Sequence, residues 1–87
     1  MWFLYIVKCR DGTLYTGIST NIQRRVLEHN NGVGAKSLKG KLPITLVYKE
    51  VYDNQREAAR REREIKGWRK EKKEELILKD LSMKGLP

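Results

Sequence analysis

By its patterning the sequence encodes an α+β domain, a small three-stranded antiparallel sheet flanked by helices in the order β-β-α-β-α-α. Three features point to it. The run Trp2-Phe3-Leu4-Tyr5-Ile6-Val7 is dense in aromatic and β-branched residues and is followed by Asp11-Gly12, a strong short-hairpin signal. From Arg56 to Lys79 the chain is rich in Arg, Lys, Glu, Ala and Leu and almost free of strand formers and breakers. Finally, 87 residues suffice for one core and not two, because a chain of this size buries only roughly 60% of its extended-state surface.

The first strand covers residues 2–7 and the second 14–18, joined by Arg10-Asp11-Gly12-Thr13. Side chains alternate along a strand, so Tyr5 and Val7 share one face, Ile6 takes the other, and Tyr15 shares a face with Gly17. Gly17 weakens its strand but lets another backbone or a phosphate come close. Ser19-Thr20-Asn21 offers capping oxygens to a helix of about ten residues, with Ile22, Val26 and Leu27 as its apolar side and Asn30-Asn31-Gly32 as its stop. Pro43 can open a strand but not sit within one, which sets the third strand at 44–52. Two helices follow, at 54–66 and 70–78, divided by Gly67, with Leu76, Ile77 and Leu78 expected to pack on the sheet. Residues 1–81 read as a single domain and 82–87 as a frayed C-terminal tail.

Charge narrows the partner. Nineteen Lys and Arg against eleven Asp and Glu give a net charge of +8, a field that concentrates polyanions and makes nucleic acid the first partner to expect. Between His29 and Lys49 there is no acidic residue, while Lys36, Lys39, Lys41 and Lys49 are interspersed with Gly32, Gly34 and Gly40. Such a loop can lie along phosphates, or it can be a solvated connection. No stretch reaches the roughly 18 apolar residues of a membrane span, so no membrane partner is expected. The lone Cys9 cannot form an internal disulfide, no disulfide-linked partner is expected, and a cytoplasmic setting fits. Oligomeric state is left open.

Three constellations can carry chemistry. Tyr5 and Tyr15 lie on hairpin-paired strands and either share a site or are ordinary half-buried aromatics. Arg25 and His29 stand four apart on the following helix, stacked on one face, where a guanidinium can fork onto phosphate oxygens and an imidazole can carry a proton near neutral pH. Ala58, Glu62 and Ile65 follow a core-facing stripe whose middle member is a carboxylate. Glu62 either pairs with an arginine among Arg60, Arg61, Arg63 and Arg69 or faces a hard cation, for which one carboxylate with water and substrate phosphate is a normal Mg²⁺ shell.

Tyr5-Ile6-Val7, Tyr15-Thr16-Gly17, then Asn21, Arg25 and His29, then Glu57-Ala58 and Glu62, in this order and spacing, resemble the GIY-YIG nuclease superfamily. Gly32-Val33-Gly34-Ala35-Lys36, Leu42-Pro43, Leu46-Val47-Tyr48-Lys49-Glu50, Arg61-Glu62 and Ile65-Lys66 are similar to its small stand-alone bacterial members. Phe3-Leu4-Tyr5 stands where Gly-Ile-Tyr gives the family its name, and Ile18 where excision-repair members carry a lysine. The resemblance implies a metal-dependent endonuclease acting on DNA in preference to RNA, on branched or damaged DNA among its candidates. It implies Mg²⁺ (or Mn²⁺) on Glu62, with Tyr5, Tyr15, Arg25 and His29 as catalytic residues. Gly17 with Lys36, Lys39 and Lys41 would meet the substrate. The resemblance assigns the base to Tyr5, Tyr15 and His29 remain alternatives, and a phenol serves only if nearby cations lower its pKa. A nucleic-acid-binding module of the same fold with little turnover is the alternative.

Overall fold

The computed structural model describes residues 1–84 and has the expected element order: β1 (Trp2–Lys8), β2 (Leu14–Ser19), α1 (Ile22–Asn30), a 3-10 turn (Lys36–Leu38), β3 (Thr45–Tyr52), α2 (Gln55–Lys66) and α3 (Lys70–Lys84). The sheet is antiparallel with β1 in the middle, in the order β2-β1-β3. That position explains why Leu4, Tyr5, Ile6 and Val7 are all buried, since a central strand covered on both faces has no polar side.

Alternation along β1 feeds two apolar clusters. On one face Tyr5, Val7 and Cys9 pack with Ile22 of α1 and with Leu38 and Ile44 of the connection to β3. On the other, Leu4 and Ile6 pack with Ile65 of α2 and Ile77 of α3. The sheet therefore lies between α1 with its basic loop and the α2–α3 pair.

Local chemistry fixes the joints. Asp11 Oδ1 accepts from the Thr13 N–H at 3.0 Å, and Gly12, at φ 88°, takes the left-handed step of the hairpin turn. Asn21 and Asn54 cap α1 and α2 by accepting from the N–H groups of Arg24 and Glu57. Asn30 then ties the end of α1 to the entrance of β3, accepting from the Ile44 N–H at 2.7 Å and donating to the Ile44 carbonyl at 3.3 Å.

Four expectations are corrected. Leu27 is 62% exposed. Five residues beyond Ile22 it falls on the far side of α1, and the apolar stripe of 22, 26 and 29 ends on His29 instead. Leu78 is exposed while its neighbour Ile77 takes the core position. β3 begins at Thr45, one residue after the expected start. The last helix does not stop at 78 but runs to Lys84, because no Gly or Pro interrupts it before Gly85. The tail expected at 82–87 is thus helical through 84, and 85–87 lie outside the described residues.

Candidate active site

The β1–β2 register sets Tyr5 opposite Gly17 and Val7 opposite Tyr15, which leaves the two tyrosines diagonal neighbours on the face that α1 covers. Gly17 is required there by space. A Cβ on it would stand 2.6 Å from the Tyr5 hydroxyl oxygen and 2.7 Å from Cζ, so the phenol lies across the bare backbone of β2.

α1 brings His29 to the same place. Its ring is 1% exposed, 5.7 Å from the Tyr15 ring in an edge-on arrangement, and its Nε2 lies 3.2 Å from the Tyr5 Oη. Its Nδ1 accepts from the backbone N–H of Ala35 at 3.1 Å, which ties the glycine and lysine loop to the ring. Burial pushes the imidazole below its ordinary pKa, the Arg25 charge pushes the same way, and Glu28 opposes both.

Arg25, one turn earlier, is partly exposed and pairs with Glu28 at 3.2 Å. Burial holds the Tyr5 phenol above its ordinary pKa, aided by Tyr15 and by the negative charge of Glu62, while the Arg25 guanidinium pulls the other way and loses. Desolvation outweighs a single cation that is itself paired with Glu28, so Arg25 by itself does not make the phenol a ready base.

Glu62 comes from the other side of the sheet. Its side chain is 20% exposed and its one ion pair among the described residues is with Lys66, whose Nζ lies 3.2 Å from Oε2 and 6.0 Å from the centre of the Tyr15 ring. None of the four arginines considered above pairs with it. Arg61, on a different side of α2, is taken by Glu50 and Glu64. Among the described residues no three His, Cys, Asp or Glu side chains cluster as a ligand set. Glu62 offers one shielded carboxylate that among the described residues is paired with Lys66 alone, and that suits a hard cation completed by water and phosphate rather than a cage of protein ligands.

The lysines divide. Lys36 and Lys39 rim a cleft of about 240 Å³ that is floored by His29, Gly34 and Ala35. Lys41 belongs with the hairpin, where its carbonyl accepts from the Arg10 N–H at 2.9 Å and the Arg10 guanidinium donates to the Gly40 carbonyl at 3.2 Å. Arg10 is a basic residue of this surface that pattern reading passed over. A signal existed in its position at the hairpin tip, but its partner is thirty positions away.

A second polar cluster was also missed. Glu50 accepts from the hydroxyls of Tyr48 and Tyr52 and from the Arg61 guanidinium. Tyr48, Glu50 and Tyr52 alternate along β3 toward α2, a pattern legible in hindsight.

Residues 1–75 match the family model described as the GIY-YIG catalytic domain. The chain belongs to the GIY-YIG family. It is 51% identical to a UPF0213 protein of Staphylococcus saprophyticus over 86% of this chain and 92% of that one. It is 49% identical to a UPF0213 protein of Staphylococcus epidermidis over the same shares. Two solution NMR structures are similar in fold. The UPF0213 protein BH0048 of Bacillus halodurans has a TM-score of 0.57 at 40% identity, covering 100% of this chain and 89% of that one. The protein EF2693 of E. faecalis has a TM-score of 0.62 at 32% identity, covering 93% and 85%. Tyr5, Tyr15 and Gly17 lie within the matched segment, on the two strands that meet beneath α1.

Proposed function

We propose that this GIY-YIG domain is an endonuclease that hydrolyses phosphodiesters of nucleic acid, DNA in preference to RNA, with a divalent cation, Mg²⁺ or Mn²⁺, held by Glu62. The observation that carries the reading is convergence: two phenols, an imidazole and a guanidinium share one face, and a sparsely bonded carboxylate stands beside them although it comes from a helix across the sheet. A structural role would not require the phenol to lie over a glycine in contact with the only histidine of the chain.

In this reading Arg25 takes the charge that grows on the phosphoryl oxygens. Tyr5, once ionised to phenolate, accepts the proton of the attacking water at Oη, and Tyr15 orients the water or the phosphate. Lys36, Lys39 and Lys41 hold the flanking backbone, and Gly17 keeps the approach over β2 open. Glu62 would hold the divalent cation, which when bound would supply Lewis-acid polarisation of the phosphoryl group. Branched or damaged DNA is the substrate class we favour, and a reducing cytoplasm is the expected setting. Among the described residues no helix is long and apolar enough to cross a membrane.

The test is cleavage of nicked, flapped and single-stranded DNA and of RNA with Mg²⁺ or Mn²⁺. Tyr5→Phe, Arg25→Ala and Glu62→Ala should each cost about a hundredfold or more. Product that survives all three changes comes from another enzyme and ends the proposal. Two observations favour a binding module with little turnover: Tyr5 is buried with a raised pKa, and Glu62 already holds an ammonium. That reading predicts salt-sensitive binding with no metal-dependent product.

A further inference from the structure

The two nitrogens of His29 have unequal freedom. Nδ1 faces the Ala35 N–H, and an amide cannot give up its proton, so Nδ1 must present its lone pair. A neutral imidazole carries one proton, which therefore sits on Nε2 and is donated to the Tyr5 Oη 3.2 Å away. A doubly protonated ring would set an N–H against the Ala35 N–H, donor against donor. Nor can the ring turn to escape. Gly34 packs so closely on it that a Cβ there would lie 1.9 Å from Nδ1 and 2.7 Å from Cε1, while Tyr15 closes on the ring from another side.

We propose that His29 is a positioning residue rather than the general base, and that through it the basic loop governs how the Tyr5 oxygen is bonded. Nucleic acid seated on Lys36 and Lys39 steadies the Ala35 amide, the amide selects the Nε2–H tautomer, and that tautomer holds the Tyr5 oxygen as an acceptor. A phenol oxygen already accepting a hydrogen bond is stabilised as phenolate, which is the form a base must reach. Loss of the loop contact frees Nδ1 to take the proton, and Nε2 then accepts from Tyr5 and holds it as phenol. The ligand in this scheme rests on the nucleic-acid reading above. The connections from Ala35 to Tyr5 rest on geometry alone.

His29 is the one histidine of the chain, so long-range ¹H–¹⁵N correlation spectra report its tautomer without ambiguity. Wild type at neutral pH should show the Nε2–H form. Ala35→Pro removes the donating hydrogen at a residue whose φ of −63° already suits proline. It should convert the ring to a mixture with visible Nδ1–H form and shift the Tyr5 Cζ resonance, identified by its disappearance in Tyr5→Phe. Gly34→Ala, which displaces the ring by contact instead, should move the same two signals.

In metal-free buffer a short DNA duplex should shift the Ala35 amide, the His29 ring and Tyr5 Cζ with one half-saturation point, and Lys36→Glu with Lys39→Glu should abolish all three shifts. A wild-type ring in the Nδ1–H form overturns the proposal. So does a duplex that saturates the loop amides while His29 and Tyr5 stay still. Absence of duplex binding overturns both this coupling and the nucleic-acid reading. Coupled shifts without cleavage under any metal end the endonuclease reading and leave the coupling standing.

Discussion

Glu50 and Glu62 sit near opposite sides of α2 and are bonded in opposite ways. Glu50 accepts from two tyrosine hydroxyls and from a guanidinium that also binds Glu64 at 2.6 Å and lies 5.2 Å over Trp68. Every lone pair has work, and the result braces β3 against α2. Among the described residues Glu62 has one ion pair, with a lysine four residues on whose side chain is half exposed. Its remaining lone pairs accept from no other described side chain, and its charge is felt by the Tyr5 phenol. The number of committed donors, not the residue type, separates a carboxylate that holds the fold from one available to a cation.

The contrast breaks most sharply on Glu62→Gln. Cleavage should fall about a hundredfold or more, because one oxygen ligand and its charge are lost. Stability in urea should change by no more than about 0.5 kcal/mol, the scale of an exposed helical ion pair. A large loss of stability would make Glu62 a second brace and remove the distinction.

Glu50→Gln should do the reverse, costing about 2 kcal/mol by stranding Arg61 and a phenol, with cleavage per folded molecule little changed. The pH dependence follows in sign. Burial works against the Glu50 carboxylate, but Arg61, Tyr48 and Tyr52 together hold its pKa below the ordinary value. Its contribution to stability is therefore complete above the unfolded carboxylate pKa and is lost as pH falls through the lowered folded one. Tyr52 is pushed up to about 12, first by burial and then by the Glu50 carboxylate. Its contribution is complete below the unfolded value and is lost as pH rises through about 12. Urea midpoints across pH should show both limbs flattened in Glu50→Gln.

Gly17→Ala sharpens the comparison from the phenol side. The added methyl must displace Tyr5, for an expected cost of about 1 kcal/mol or somewhat more in stability. Cleavage should drop further than stability does, since the phenol loses its place over β2. Equal activity at equal folded fraction would show that Tyr5 does not need that place. The smallest effect is expected from Lys66→Met. Removing the competing ammonium should tighten Mn²⁺ binding, read by paramagnetic resonance, by about tenfold, as expected for one unit charge roughly 6 Å from a divalent ion in a water-like dielectric. Unchanged affinity would mean that Lys66 and the cation never compete.

The strands, the hairpin turn, the helix caps and the division of helices at Gly67 were legible because each depends on a few adjacent residues. So were the faces within each strand, Tyr5 with Val7 and Tyr15 with Gly17, which period two fixes, whereas the register that brings them together came from the structure. The misreadings came where several residues were locally equivalent. Leu27 and Leu78 looked as apolar as the residues that took the core, and the partner of Glu62 was sought among four arginines when Lys66, one turn away, was in reach. The burial of His29 was not read because a histidine does not count as apolar, although it closes the stripe of Ile22 and Val26.

The sequence by itself determined which segments extend, which coil, and which side chains share a face, since torsional preference and side-chain alternation act over a few bonds. Only the tertiary structure decided that the Ala35 amide fixes the His29 tautomer, that Arg61 serves Glu50, and that burial outweighs Arg25 at Tyr5. Those outcomes turn on distances of about 3 Å, the length of a hydrogen bond, between groups far apart in the chain, and on how much water the packing removes. No local pattern encodes either.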